Sequence, residues 1–320
     1  MSYTERMTFA TDMVATGLSL GVRVGDTLVV PGDTPGSVRF ERVTIDAPAS
    51  LTVGTGATIE VGTLAGAAGS RVSIATGGVP GVGDGSSIDE LEGGGSLQVA
   101  GNVTMNGDAP DFAGAIELAL ASSLTLHVGN GTISGTFARE GNVIVEADGT
   151  LRATTGFGTT LTGTITIRSG GLESELVDMP GTWDVQQDGT LVFQPLLPLG
   201  RDESYLGGSL QGTGAVAMAG EGTLVVQSNQ ILSPDLALEV RSGGVRIEAS
   251  EPGAVSAFSR VSIVGGADLE VGEDTTVVVG GLDGAAGSRI FVDEGSLLDL
   301  DGDCSHAGEI AGAILSSAAP

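Results

Sequence analysis

One 35-residue stretch of this chain is written twice. Residues 40–74 and 258–292 align without a gap at an offset of 218, with 18 identities. The densest part sets Leu64-Ala65-Gly66-Ala67-Ala68-Gly69-Ser70-Arg71 against Leu282-Asp283-Gly284-Ala285-Ala286-Gly287-Ser288-Arg289. Self-similarity of this kind means that one structural unit is reused and buries its apolar face against copies of itself. A finer period lies beneath it: a small or turn residue, then Leu or Val, then alternation. Its markers are Leu51, Leu97, Leu124, Leu151, Leu172, Leu191, Leu224, Val245, Leu269 and Leu297. With the first gap read as two turns, they mark ten turns of about 24.6 residues each.

Inside each turn the apolar period is two, as in Thr164-Ile165-Thr166-Ile167-Arg168 and Leu236-Ala237-Leu238-Glu239-Val240. That spacing puts alternate side chains on one face of a strand. Asn106-Gly107, Asn130-Gly131, Asp148-Gly149 and Asp188-Gly189 punctuate the runs and suit tight corners. Helical stripes are weak; residues 110–121 come closest and read equally well as strand. Short strands at coil-length spacing predict an all-β parallel β-helix, or β-solenoid, of about 12–13 coils of about 20–28 residues. Such a stack is elongated, and its interior suits Val, Ile, Leu and Ala, in keeping with only 3% aromatic residues. A β-sandwich or barrel is the structural rival. The boundaries expected are a cap or irregular segment over 1–25, the β-helix over 26–303, and a tail or cap over 304–320, with a short helix at 308–317.

Composition narrows the function classes. Forty acidic residues against thirteen arginines and no lysine give a net charge of −27. Such a chain repels nucleic acid and anionic membranes. A single cysteine, Cys304, leaves no intrachain disulfide framework and no multi-cysteine zinc site. Glu5 and Asp12 interrupt any signal-peptide pattern at the start, and no apolar run is long enough for a transmembrane helix. No nucleic-acid partner and no membrane insertion by this segment are therefore expected.

Residues 207–229, Gly-Gly-Ser-Leu-Gln-Gly-Thr-Gly-Ala-Val-Ala-Met-Ala-Gly-Glu-Gly-Thr-Leu-Val-Val-Gln-Ser-Asn, resemble the passenger-associated repeat of autotransporter proteins. There a G-x-G-x-L stretch leads to G-x-G-T-L-x-L, an Asn, and a further strand, here Ser242-Gly243-Gly244-Val245-Arg246-Ile247. The resemblance implies a right-handed parallel β-helix displayed outside a Gram-negative cell. It is clearest over 200–300. Gln230-Ile231-Leu232 stands where the family has Tyr and Gly-Gly-Thr, and the chain lacks the family's C-terminal β-barrel.

Candidate chemistry is sparse. Asp299, Asp301 and Asp303 alternate, which puts three carboxylates on one side of a strand and within reach of a Ca²⁺ ion. The ordinary alternative is an exposed acidic edge. Cys304 and His306 share a face, without an oxyanion site beside them. His127 alternates outward from Leu124, Leu126 and Val128, so it is expected on the surface. The run Thr160, Thr162, Thr164, Thr166 resembles the threonine arrays of ice-binding solenoids, but a single row does not repeat at the coil period. A sugar-cleaving site needs two opposed carboxylates and favours an aromatic platform. Trp183, Tyr3 and Tyr205 are the amphipathic aromatics, and 77–95 and 195–205 the longer loops. No catalytic, cofactor-binding or metal-binding residue is assigned. The expected function is a non-enzymatic surface β-helix: an adhesin, stalk or self-assembling element with itself, a cell surface or a glycan as partner. A carbohydrate-active β-helix and a phage tail or spike segment are the alternatives.

Overall fold

The computed structural model describes residues 6–8, 17–31, 37–107, 109, 111–127, 129, 131–133, 135–153, 160–175, 179–195, 202–312 and 314–316. The chain divides into two compact units, Met1–Ile165 and Thr166–Pro320. Each is built from parallel β-coils, and the chain makes about 13 turns in all. The fold is the β-solenoid that the alternation and repetition predict.

In the first unit the strands Arg6–Thr8, Thr27–Val30, Ser50–Val53, Arg71–Ile74 and Glu90–Gly93 stack as one side of successive coils. Leu28, Leu51, Val72 and Leu91 fall directly under one another in this ladder. All four are buried. A second side carries Val43, Leu64, Val103, Leu124 and Val143 inward, interrupted once by the buried Ser86, whose hydroxyl donates to Gly83 O at 2.7 Å. Because parallel neighbours share pleat orientation, one apolar residue per coil position produces a continuous apolar column. Fully burying each Leu or Val contributes on the order of 1.5–3 kcal/mol, so a coil gains its stability from the coils above and below.

The second unit repeats the scheme. Ala215–Gln227 pairs with Ala237–Glu248, and Ala237–Glu248 pairs with Arg260–Ile263 and Asp268–Val271, all parallel. The two copies of the 35-residue module fold identically at the level of strands. Ser50–Val53, Thr58–Gly66 and Arg71–Ile74 in one correspond to Asp268–Val271, Thr275–Gly284 and Arg289–Val292 in the other. Their shared corner is built on a glycine with positive φ, Gly69 at 83° and Gly287 at 86°. The next residue, Ser70 or Ser288, is buried, and its N–H donates back to Ala67 O at 2.8 Å or Ala285 O at 3.1 Å. The Ser288 hydroxyl donates to the same Ala285 carbonyl at 2.7 Å. The corner's polar atoms are thus satisfied without water.

The coil length differs from the marker spacing. Register partners lie 23 residues apart at Leu28 and Leu51, 19 at Val72 and Leu91, and 27 at Trp183 and Leu210. Marker residues such as Leu51, Leu97 and Leu124 sit on three different sides of the coil, so the gaps between them mix whole turns with thirds of turns. Leu297 is half-exposed and Leu298 is the inward residue. Leu224, Val245 and Leu269 form one true column among the markers.

Strand pairing also runs outside 26–303. Arg6–Thr8 pairs with Thr27–Val30, and Ser19–Val22 with the second half of Ser37–Ile45. At the other end Leu297–His306 continues through Cys304, and the described residues of 308–317 are not helical. Glu309–Ala311 and Ile314–Ser316 are strands, because Ile310 extends the Ile290 column and Ile314 the Leu298 column. Residues 110–121 resolve the same way, as the strand Ala115–Leu118. Among the described residues no helix is long and apolar enough to cross a membrane.

Candidate functional surfaces

Several arginine side chains reach along the ladder, whereas Arg241 pairs with Glu239 on its own strand. Arg71 lies 2.8 Å from Glu90 and 3.5 Å from Glu92 on the following coil. Its guanidinium is held above its ordinary pKa by the hydrogen bond to Glu90 and by the charges of Glu92 and Glu90. With Asp89, Asn106 and Asp111 these residues line an open groove of about 500 Å³ in the first unit.

A second groove, of about 430 Å³, belongs to the second unit. Arg246, Glu248, Glu270, Glu273 and Asp293 line it, and Gly272 leaves a notch in its wall. Arg246 reaches Glu203 at 2.7 Å, 43 residues earlier, and Glu270 at 2.9 Å on the next coil. Burial by itself would lower its pKa; the bonds and charges of Glu270 and Glu203 outweigh that and raise it. Tyr205 donates to Glu203 at 2.9 Å. That bond, then the one from Arg246, keeps the Glu203 carboxyl below the usual carboxylate range, while the same bond raises the Tyr205 phenol. In both grooves the arginine is paired with carboxylates that outnumber it.

A third surface is nearly uncharged. In the first unit the ladder sets Thr44, Ala65, Ser87, Thr104, Thr125 and Ile144 in one outward column. Beside it run Thr63, Asn102, Ser123 and Asn142. The amide column is internally bonded: Ser123 Oγ donates to Asn102 Oδ1 at 2.7 Å, and Asn102 Nδ2 to Asp84 at 3.0 Å.

The residues singled out by sequence are scattered. Asp299 is half-buried on a strand beside Val278, whereas Asp301 and Asp303 are exposed past a register shift opposite Val279 and Gly281. The strand therefore does not hold all three carboxylates on one straight side. Among the described residues no three acidic, His or Cys side chains converge on a metal position. Cys304 is exposed and shares its face with His306, both in register with Leu282 and Gly284. His127 is exposed, as its alternation predicts, with Nδ1 3.8 Å from Glu146. Trp183 is fully buried, edge-on to Phe193 with ring centroids 5.6 Å apart, and Tyr205 stands exposed above Glu203. Neither aromatic lines the floor of a groove; Tyr3 lies outside the described residues. Residues 77–95 fold into ladder strands and bring Asp89, Glu90 and Glu92 to the first groove, and 196–201 lie outside the described residues. Thr160 and Thr162 bond to the Phe137 and Arg139 carbonyls of the preceding coil.

Two features escaped the sequence. Arg246 and Glu203 are too far apart in the chain for any local pattern to pair them. The Thr44–Thr125 column is visible only once register is known, since its members recur at 17 to 22 residues. Set against protein-family profiles, curated proteins and solved structures, the chain matches none, so its fold and surfaces are described from its own geometry.

Proposed function

We propose that the chain is a non-enzymatic β-solenoid of a bacterial outer surface, an adhesin, stalk or self-assembling element that presents its outer ladders to a partner. One observation carries this reading. Of the 18 identities between the two copies of the module, fifteen are inward-facing or corner positions. On outward strand positions only Arg42, Thr58 and Arg71 recur, as Arg260, Thr276 and Arg289, while Thr52 becomes Glu270, Ala65 becomes Asp283 and Ser73 becomes Phe291. A frame kept constant inside and varied outside is the arrangement of a scaffold whose surface does the work. The autotransporter-like segment adds to it: Leu210, Val216 and Leu224 fill inward positions of successive strands, as that repeat requires.

A carbohydrate-active enzyme is the second reading, favoured by the four carboxylates around Arg246. The two separate by assay. Incubation with a panel of soluble polysaccharides is expected to release no new reducing or unsaturated ends, while the protein is retained on cells or glycan resin or assembles with itself. Release of such ends contradicts the scaffold reading. So does a protein that neither binds nor assembles. A stable trimer by sedimentation would favour a tail-spike role.

A further inference from the structure

We infer that the hydroxyl ladder of the first unit is a docking strip for a linear, uncharged polysaccharide lying along the coil stack. The inference rests on the scaffold reading above and names its partner. Thr44, Ser87, Thr104 and Thr125 rise one above another at about 4.8 Å per coil, so Thr44 and Thr125 stand about 19 Å apart. Asn102 and Ser123 run alongside. The strip is therefore two side chains wide and many coils long, a footprint that fits a polymer chain better than a globular partner.

Its hydrogen-bonding state points the same way. The hydroxyls of Thr44, Thr104 and Thr125 take no part in the hydrogen bonds of the described fold, unlike the neighbouring Asn102 and Ser123. Each free hydroxyl offers one donor and two lone pairs, the same groups that a sugar hydroxyl presents. Charge selects among polymers. Among the described residues of the two columns the cation is Arg42, and Asp84 at the margin accepts from Asn102 N and Nδ2 through Oδ1. Two residues further along, Asp46, Asp89 and Glu146 alternate with Ala67, Asn106 and His127, and Arg23 stands beside Asp46, so acids prevail on that flank. On a chain of net charge −27 that flank repels uronates and sulfated glycans, yet it accepts hydrogen bonds from neutral sugars. Ala65 and Ile144 carry no hydroxyl and Ser87 Oγ is bonded to Gly66 O, so the free hydroxyls are those of Thr44, Thr104 and Thr125, whose contacts add up along one polymer by avidity.

The test is native electrophoresis of the full chain in gels cast with hydroxyethylcellulose, dextran or galactomannan, and in gels with polygalacturonate, each compared with a plain gel. At least one neutral polymer is expected to retard the protein and polygalacturonate is not. The double variant Thr104→Asp/Thr125→Asp is expected to bind about tenfold more weakly. Thr52→Asp/Ser73→Asp, which adds the same charge to the neighbouring side, is expected to bind as the parent does. Circular dichroism confirms that both variants remain folded. No retardation in any neutral gel, or equal loss in both variants, overturns the inference. Concentration-dependent retardation in the plain gel that only Thr104→Asp/Thr125→Asp abolishes overturns it in favour of a second copy. The scaffold reading survives each of these results; it fails if the polymer is cleaved.

Discussion

Trp183 is the bulkiest side chain in the core, fully buried, with an indole N–H that has no hydrogen-bond partner. An unmade bond of this kind is a cost already present in the native state. Trp183→Phe therefore removes volume together with that cost, whereas Trp183→Ala removes volume and leaves a cavity. Urea unfolding is expected to show about 3–5 kcal/mol lost for the alanine variant and clearly less for phenylalanine. Equal losses would mean that the indole N–H finds a partner. Gly287 supplies the other residue-scale test. Its φ of 86° lies where a Cβ is strained, and Gly287→Ala is expected to cost about 1–2 kcal/mol although nothing crowds the position. A neutral Gly287→Ala would place the corner in a different conformation. What the sequence displayed at this scale was the inward residue and the corner: Leu51, Leu64, Gly69 and Ser70 take the positions their alternation requires. What it could not display was the outward neighbour of any residue, because ladder partners are set by register, and register depends on coil lengths that vary from 17 to 27.

At the scale of strands, Arg246 links Glu203 and Glu270 on other coils with Glu248 on its own strand. Its own ladder partner Val225 is buried although it faces outward, so the arginine stem has a packing role beside the charge. Arg246→Ala is expected to lower stability by about 1 kcal/mol, and Arg246→Met to recover part of it. The acid side follows from Glu203. Its folded pKa is depressed, so its stabilisation is complete above the unfolded carboxylate value and fades as pH falls through the folded one. Glu203→Gln is therefore expected to lower stability modestly at neutral pH and, having no charge left to lose, to flatten the further loss on acidification below about pH 4.3. An unaltered acid profile would remove Glu203 from the account. The same ladder logic explains why the acidic triad fell apart. Asp299, Asp301 and Asp303 alternate in sequence, but a register shift turns the backbone between them. The second half of Leu297–His306, by contrast, was legible as strand only through its pairing with Thr275–Gly284.

For the whole molecule, charge and repetition oppose each other. Burial of one apolar column per coil side holds the coils within each unit together, and a net charge of −27 works against compactness. The ion pairs on the surface are half-exposed and individually worth little, so screening them costs less than screening the net repulsion returns. The melting temperature is accordingly expected to rise between 10 mM and 1 M NaCl, roughly the range over which the Debye length falls from about 30 to about 3 Å. A fall would mean that specific pairs such as Arg289–Asp268 dominate. All of these expectations presuppose coils stacked in parallel register, and spin labels measure that directly. In a Cys304→Ser background, pairs placed at Thr44 with Ser87, Thr104 or Thr125 sit two, three and four ladder steps apart. Electron paramagnetic resonance is expected to give separations that grow in equal increments, near 10, 14 and 19 Å before the label's own length, at about 4.8 Å per coil. Separations that do not lengthen in that order, as facing sheets or an antiparallel barrel would produce, would contradict the solenoid.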